Sequence, residues 1–412
     1  MNKGFNRVVA INVGNEILSG KTVNTNLTFL GSRLFTLGVG ISEALAIPDT
    51  REAIQNTLEY VWKDATLVIC TGGLGPTADD ITKNTIAEFF NKKLIFHERI
   101  YLEIKRRFAL RNMEMPETNK VQAYIPEGFV DLENDFGTAP GLFFEEGNKC
   151  LFCLPGVPFE MEHLFDKYIV RFLKDKLLCA DYYCKDLNTH GISESKIAEL
   201  MKDVVAPDGV HIAWLPKPGR VDIRVYGRNM EGAEKLLNEI NDLLTDKIWA
   251  TDEKSPFDLL HRILIDNKLT VSTAESCTSG MIATMLSKKS GASQYFKGSI
   301  ISYANEIKTE LLSVSHETLD KYGAVSEETV REMLLGCEKS FKSDIVCAVS
   351  GIAGPNGGSP DKPVGTVYVG TKYKDNIFVE RCLFTGNRDI IKLKATEWVA
   401  FNILKCFKEE NK

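Results

Sequence analysis

Several features that mark whole classes of protein are missing from this sequence of 412 residues. No run approaches the roughly 18 consecutive apolar residues that a transmembrane helix needs. The N-terminal residues pass directly into a strand-like run, with no apolar signal-peptide core before it. Low-complexity tracts and tandem repeats are also absent, which excludes solenoids, collagens and largely disordered chains. The sequence therefore predicts a globular, cytoplasmic protein with no membrane partner.

The chain also has little excess charge of either sign. Lys and Arg total 50 and Asp and Glu total 56, which gives a formal net charge of −6. A mildly acidic protein does not attract nucleic acid through its overall field, so we expect no nucleic-acid partner. A local basic pocket for a small anion remains compatible with this charge.

The ten cysteines are scattered and lie mostly inside apolar runs, as Cys70, Cys347 and Cys382 do. This pattern is typical of buried, reduced thiols in a cytoplasmic protein. Cys150 and Cys153 have the spacing of one zinc knuckle. The residues between them are strand-like, however, and alternation along a strand would direct the two thiols to opposite faces. We therefore expect no zinc site here.

The pattern of apolar residues divides the chain into three parts. At roughly 100–200 residues per domain, a chain of this length predicts two to four domains. Strand and helix signals alternate from residue 8 onwards, which favours a parallel sheet covered by helices on both faces. This rhythm changes between about 175 and 250 and restarts near 253. The prediction is an α/β protein with domains at 1–172 and 253–412, joined by a small α+β module at 173–252.

Two glycine-containing loops follow predicted strands of the first domain, at residues 14–20 and 71–82. In open α/β sheets ligands lie beyond the carboxyl ends of the strands, where glycine amides can approach phosphate oxygens closely. Asp79 and Asp80 could hold a divalent cation that bridges those oxygens. The alternative is a tight turn with an Asp helix cap. No Gly-Lys-Ser/Thr follows, so this is not a Walker A loop.

Together with Gly-Thr-Ala-Pro-Gly at 137–141 and Leu-Pro-Gly-Val-Pro at 154–158, these loops resemble the MoaB/MogA-like molybdopterin-binding fold. More narrowly, they resemble the N-terminal domain of the CinA family of competence/damage-inducible proteins. The resemblance implies a metal-dependent ADP-ribose pyrophosphatase that forms AMP and ribose 5-phosphate, with a divalent metal ion of unknown identity as its cofactor. The implied nucleotide-binding residues are Gly14, Glu16, Gly72, Gly73, Gly75 and Thr77, and the implied metal ligands are Asp79 and Asp80. Asn15 stands where the family usually has Asp, so this activity is weakened or absent if that carboxylate is a metal ligand.

In the last domain, Ser276 lies where a predicted strand ends and a helix begins. A serine there can cap the helix, or it can act as a nucleophile whose oxyanion is stabilised by nearby amides, here those of residues 278–280. A serine nucleophile needs a base. His261 and His316 are the histidines of this domain and neither lies in a matching motif, and Gly-x-Ser-x-Gly is missing. An ordinary serine triad is therefore not supported.

Lys308 is the alternative base, because burial can lower a lysine pKa to roughly 7–8. It lies near Tyr303, although most lysines are simply solvated. A second glycine loop follows Ser350, and Arg388 begins the last helix; a loop and an arginine of this kind suit a phosphate.

These segments, over nearly all of 255–405, resemble the CinA C-terminal domain. The resemblance implies a nicotinamide-nucleotide amidohydrolase that converts NMN and water to nicotinate mononucleotide and ammonia without a cofactor. The implied catalytic residues are a Ser276–Lys308 dyad and Tyr303. The implied substrate-binding residues are Glu275, Thr278, Gly280, Ser350, Gly351, Gly354 and Arg388. This chain departs from the family at Ser279 (usually Gly), Ser350 (usually Thr) and Asn387 (usually Asp).

The resemblance implies two α/β sandwich domains, one MoaB/MogA-like and one CinA-like, in a homodimer that takes NMN and ADP-ribose. A rival interpretation is a non-catalytic nucleotide- or pterin-binding protein of competence or the DNA-damage response. A third keeps the deamidase and leaves the first domain degenerate because of Asn15.

Overall fold

The computed structural model describes residues 5–177 and 182–410. The chain divides into two compact units, Met1–Tyr183 and Cys184–Lys412. Within the described ranges no helix is long and apolar enough to cross a membrane. The second unit contains the sheet of the predicted linking module as well as that of the last domain, and the domain boundaries at 172 and 252 stay predictions.

The first unit is built on one six-stranded sheet and a small two-stranded sheet. The strands are β1 (Val8–Val13), β2 (Glu43–Ile47), β3 (Leu67–Thr71), β4 (Leu94–Phe96), β5 (Tyr124–Pro126), β6 (Val130–Leu132), β7 (Gly141–Glu146) and β8 (Lys149–Leu154). The large sheet has the order β2-β1-β3-β8-β7-β6, and its first four strands are parallel. β7 and β8 form an antiparallel hairpin that turns at Gly147, which has a positive φ.

Helices cover this sheet on both faces, as the alternating pattern predicted. They are α1 (Asn15–Leu18), α2 (Thr25–Thr36), α3 (Arg51–Val61), α4 (Thr82–Phe89), α5 (Glu98–Ala109), α6 (Pro158–Leu164) and α7 (Val170–Leu177), and a π-helical turn joins the last two. Val9 of β1 packs into one hydrophobic core and Ala10 into the other. Burial on both faces explains why β1 and β3 are continuous apolar runs rather than alternating ones.

The parallel strands place several loops at one edge of this sheet. Gly14, Asp49, Gly72 and Pro155 follow the carboxyl ends of β1, β2, β3 and β8. This is the edge where ligands bind in open α/β folds.

Cys150 and Cys153 lie on opposite faces of β8, as predicted, because one packs into each core. Both are buried free thiols, and burial raises the pKa of Cys150 to about 11. Two protonated thiols that point apart do not form a zinc knuckle.

The second unit contains two sheets, of four and five strands. The strands are β9 (Tyr183–Thr189), β10 (Val210–Lys217), β11 (Arg220–Gly227), β12 (Ile248–Thr251), β13 (Val271–Glu275), β14 (Phe296–Ile301), β15 (Ile345–Gly351), β16 (Thr366–Tyr373) and β17 (Asn376–Leu383). The helices are α8 (Glu194–Leu200), α9 (Met230–Leu243), α10 (Pro256–Asp266), α11 (Met281–Leu286), α12 (Asn305–Leu312), α13 (His316–Tyr322), α14 (Glu327–Phe341) and α15 (Arg388–Glu410).

The five-stranded sheet has the order β14-β13-β15-β16-β17. β14, β13 and β15 are parallel, whereas β16 and β17 form an antiparallel extension. The carboxyl ends of the three parallel strands therefore meet at one edge, where Ser276, Ser302 and Ile352 follow them. The predicted α/β class is confirmed in both units.

Candidate functional site

The structure brings Ser276 and Lys308 together at the edge of the five-stranded sheet. Ser276 directly follows β13, and its amide donates to the Val349 carbonyl of β15 at 3.0 Å. Lys308 projects from α12, and its Nζ lies 3.2 Å from Ser276 Oγ. The lysine is 1% exposed and the serine 8%. The pair is therefore fixed by the sheet and shielded from bulk water.

Burial favours the neutral form of Lys308. Burial lowers the pKa of Lys308 below its usual range, against the opposing influence of Cys277 and Glu306. Its Nζ donates to the Ser302 carbonyl at 2.7 Å and to the Tyr303 carbonyl at 3.3 Å. Its third contact is with Ser276 Oγ, to which it donates at 3.2 Å. When the amine is neutral it has only two N–H bonds, and with both of them on the carbonyls its lone pair would face the Ser276 hydroxyl. A serine hydroxyl within hydrogen-bond reach of a buried amine is an arrangement that nucleophilic catalysis can use.

A cavity of about 260 Å³ opens over this pair. The described residues that line it include Ser276, Cys277, Tyr303, Asn305, Lys308, Ser350, Gly351, Gly354 and Arg388. The Arg388 guanidinium donates to the Gly354 carbonyl and to the Tyr303 hydroxyl, both at 2.7 Å. Arg388 therefore ties the second glycine loop to the tyrosine beside the dyad.

Three of the predicted substrate-binding residues do not line this cavity: Glu275, Thr278 and Gly280. The Glu275 carboxylate is fully buried. It accepts hydrogen bonds from the Thr278 hydroxyl at 2.7 Å and from the amides of Gly280, Ile282 and Ala283 at 2.9, 3.2 and 2.8 Å. These three residues shape the loop that carries Ser276.

The expectation that amides of residues 278–280 hold an oxyanion needs correction. The Ser279 amide donates to the Ser276 carbonyl, and the Gly280 amide donates to Glu275. Among the described residues the Thr278 amide has no hydrogen-bond acceptor, and the Cys277 amide contacts only its own sulfur. Ser279 has a φ of +53°, a left-handed conformation in which its Cβ is strained and the family's glycine is not.

The first unit has its own cavity, of about 390 Å³, at the edge of the six-stranded sheet. The predicted residues that line it are Gly14, Glu16, Gly72, Gly73, Gly75, Asp79 and Asp80. Thr77 lies behind them, where its amide donates to the Asp80 carboxylate at 3.0 Å. Gly72 has a φ of +101°, and a Cβ there would lie 2.3 Å from the Val13 carbonyl oxygen. The two loops therefore meet so closely that position 72 requires glycine.

Carboxylates dominate the polar lining of this first cavity. Besides the predicted acids, Asp49 and Glu160 line it. Carboxylate oxygens are suited to divalent cations. Among the residues that can be described, however, no three Asp, Glu, His or Cys side chains lie close enough together to hold a metal ion. The Asn15 side chain instead donates to Asp49 Oδ1.

The sequence interpretation missed several residues at this first cavity. Asp49 could have been found, because it follows β2, which is parallel to β1 and so ends at the same edge. Glu160 carried the same signal, because it follows β8, which is parallel to β3, whereas Gln122 comes from another part of the fold. Lys83 is also buried next to Asp80, and burial lowers the pKa of Lys83 to about 8. Its amine contacts the Val121 carbonyl.

Fold and geometry together define a class: an α/β protein in which one unit has a glycine-lined cavity and the other a buried serine–lysine pair. Three family models match it: "Probable molybdopterin binding domain" at 9–175, "Damage-inducible protein CinA KH domain" at 184–250 and "CinA C-terminal domain" at 254–407. The chain belongs to the CinA family. A CinA-like protein of Dictyoglomus thermophilum is 40% identical over 397 residues, covering 95% of this chain and 96% of that protein. One of Kosmotoga olearia is 40% identical over 392 residues, covering 93% and 95%.

Solved structures of related proteins cover part of the chain. The protein CinA of Thermoplasma acidophilum is 34% identical and covers 42% of this chain and 99% of its own, with a TM-score of 0.38. The competence damage-inducible protein A of Klebsiella pneumoniae is 31% identical and covers 37% and 96%, with a TM-score of 0.36.

Proposed function

We propose that the second unit is a nicotinamide-nucleotide amidohydrolase that converts NMN and water to nicotinate mononucleotide and ammonia. The observation that carries the proposal is the buried contact of 3.2 Å between Ser276 Oγ and Lys308 Nζ. A hydroxyl next to a desolvated amine is an activated nucleophile, and the carboxamide of NMN is an acyl group that such a nucleophile can attack.

The reaction divides into two acyl transfers. Ser276 Oγ attacks the carboxamide carbon while Lys308 takes the hydroxyl proton. Lys308 then returns this proton to the amide nitrogen, the C–N bond breaks and ammonia leaves an acyl-serine ester. A water molecule attacks the ester carbon and gives a proton to Lys308. The C–O bond to serine breaks, Lys308 reprotonates Ser276 Oγ, and nicotinate mononucleotide is released.

The other groups around the Ser276–Lys308 cavity would stabilise the negative charges of the oxyanion and the substrate phosphate. The amides of Cys277 and Thr278 are the donors left for the tetrahedral oxyanion, since the next two are occupied. Arg388 and the loop at 351–358 would hold the substrate phosphate, with Tyr303 oriented by the same guanidinium.

The pH dependence of ammonia release tests the role of Lys308. Only the neutral amine accepts the serine proton, so kcat/KM for NMN is expected to rise with pH as one proton leaves Lys308. Because burial lowers the pKa of Lys308, the plateau should be reached below the pH of about 10.4 at which an ordinary lysine titrates. The arginine of Lys308→Arg does not titrate in this range. If its residual activity kept the same rising limb, another group would be the base.

The direct test of the activity is ammonia release from NMN by the intact protein. Nicotinamide lacks the phosphoribosyl group that Arg388 would hold, so it is the matched control and should react far more slowly. Stoichiometric nicotinate mononucleotide and ammonia support the deamidase. Binding of NMN without product would favour the rival, a non-catalytic nucleotide- or pterin-binding protein.

For the first unit, the second proposal is a metal-dependent ADP-ribose pyrophosphatase. Glycine loops at the sheet edge and five lining carboxylates support a phosphorylated ligand with a divalent cation. When bound, such a cation would neutralise pyrophosphate charge. Asp79 and Asp80 are the proposed ligands, but the described side chains form no group of three, and we derive no step through a metal. A homodimer in the cytoplasm is part of the same family-based proposal.

Asn15→Asp tests whether position 15 suppresses metal binding in this chain. The variant replaces an amide donor with a second carboxylate facing Asp49. Two such charges repel by about 1 kcal/mol in water, so the variant should unfold at a lower temperature than wild type. Mg²⁺ or Mn²⁺ should restore that loss in the variant and stabilise wild type less.

Asn15→Ala is the control, because it loses the hydrogen bond without adding charge and should show no metal response. Any gain of ADP-ribose hydrolysis in Asn15→Asp would strengthen the proposal. If neither metal changed the melting temperature of Asn15→Asp, residue 15 would not lie next to a cation site.

A further inference from the structure

Two exposed aromatic rings lie together in the first unit. Phe136 is 48% exposed and Phe159 60%, and their ring centroids are 4.5 Å apart. Single exposed apolar residues are ordinary, whereas contiguous exposed apolar surface is typical of interaction sites, so this pair of rings is a candidate contact surface.

Neighbouring groups of the protein hold Phe136 in place. The Phe136 amide donates to Asn134 Oδ1 at 3.1 Å. His163 packs edge-on against the Phe136 ring at 4.6 Å, and its Nε2 lies 2.7 Å from Asp135 Oδ2. Phe136 is thus fixed by its backbone and lies next to both Phe159 and a tethered histidine. A surface ordered in this way loses little conformational entropy when a flat ligand stacks on it.

Both rings adjoin residues that line the first cavity. Phe136 is two residues before Thr138, which lines it. Phe159 lies in α6 between Val157 and Glu160, which also line it. The two rings therefore belong to two segments of the chain that each contribute residues to the glycine-lined cavity.

Glu160 holds these two segments together. Its Oε2 accepts a hydrogen bond from the Asn134 side chain at 2.6 Å. A Cβ at Gly137 would lie 1.9 Å from the same carboxylate, so the backbone after Phe136 is pressed against α6. The ring pair and the cavity rim are therefore parts of one rigid arrangement.

The cavity and the rings have complementary chemistry. The lining of the cavity consists of glycines, carboxylates, small polar groups and aliphatic side chains, and none of the described lining residues is aromatic. Glycine amides suit phosphate and ribose oxygens, but a nucleobase gains most from a π-face. We propose that Phe136 and Phe159 form a stacking site for the purine base of a nucleotide whose phosphate enters this cavity. This inference rests on the proposed nucleotide function of the first unit.

The test compares two ligands that differ in the base. Calorimetry with the intact protein measures the Kd of AMP and of ribose 5-phosphate for wild type, Phe136→Leu and Phe159→Leu. Each variant is expected to weaken AMP binding by roughly 5- to 100-fold and to leave ribose 5-phosphate within twofold. Tyr60→Leu removes a ring that is 50% exposed on the same unit and should change neither. Ammonia release from NMN should be unaffected in all of them.

Each other outcome overturns the inference in a distinguishable way. Unchanged AMP affinity in both variants would leave the nucleotide function standing without a stacking site. Equal losses for both ligands would mean that the rings shape the cavity rather than hold a base. Weaker self-association in sedimentation with unchanged AMP affinity would assign the rings to a contact between copies of the chain. Wild type that binds neither ligand would overturn both this inference and the nucleotide function of the first unit.

Discussion

Ser276→Ala and Lys308→Met are each expected to reduce ammonia release from NMN by at least about 10³-fold. In the proposed mechanism the serine forms the bond to carbon, and the lysine, 3.2 Å from its hydroxyl, is the base. Residues that act as one catalytic unit show strongly non-additive losses, because removing either one disables both. The double variant should therefore be no slower than the slower single variant. The measurement is steady-state ammonia release, with NMN affinity followed separately by calorimetry.

Two substitutions in the same unit serve as controls for this pair. Ser287→Ala removes a hydroxyl that donates to the Ala283 carbonyl, and Lys297→Met removes an exposed lysine of β14. Both should retain activity within about twofold, and both single dyad variants should still bind NMN. Activity that survives in both Ser276→Ala and Lys308→Met would contradict the deamidase mechanism outright. Multiplicative losses in the double variant would mean that the two residues act separately.

Local patterns were sufficient to predict the fold class. Strands β1 and β3 are short apolar runs that end on glycine loops, and Pro218-Gly219 turns β10 into β11, as the sequence indicates. The apolar residues at 299–303 by themselves predict a strand there, whereas β14 spans Phe296–Ile301. Its pairing with β13 contains a register shift that no local pattern reveals. Strand edges depend on a partner elsewhere in the chain, so the sequence predicts that a strand exists better than where it ends.

The same limit applies to the sites. The motif around Ser276 and the lysine 32 positions later could be recognised, but the distance between them and the two carbonyls that orient the amine are products of the sheet. The Asn15 contact with Asp49 joins loops after two different strands. The sequence could not predict the role of Glu275. An acid next to Ser276 is readily interpreted as a substrate-binding residue, and only its hydrogen bonds show that it binds the backbone of its own loop.

Those hydrogen bonds make Glu275 central to the shape of the second site. Its buried carboxylate accepts three amides and one hydroxyl from the segment that follows Ser276. Hydrogen bonds to a charged group contribute more than neutral ones, and a buried donor left without an acceptor costs its full desolvation. By occupying the Gly280 amide, this carboxylate also leaves the Cys277 and Thr278 amides as the donors available to an oxyanion. Glu275 therefore positions the segment at 276–283, which begins with Ser276.

Glu275→Ala is expected to lower the free energy of unfolding of the second unit by roughly 3–5 kcal/mol, because two buried and two partly buried donors lose their acceptor and a void remains. Glu275→Gln should cost less, about 2 kcal/mol, since one amide oxygen still accepts while the NH₂ group faces other donors. Urea denaturation measures both, with Thr284→Val as the control, which loses one exposed bond to the Gly280 carbonyl and should cost under about 1 kcal/mol. In folded Glu275→Gln, kcat for NMN should fall while KM changes little, because the oxyanion donors shift but the phosphate contacts do not. A Glu275→Gln protein with wild-type urea midpoint and wild-type kcat would show that the loop holds its shape without this carboxylate.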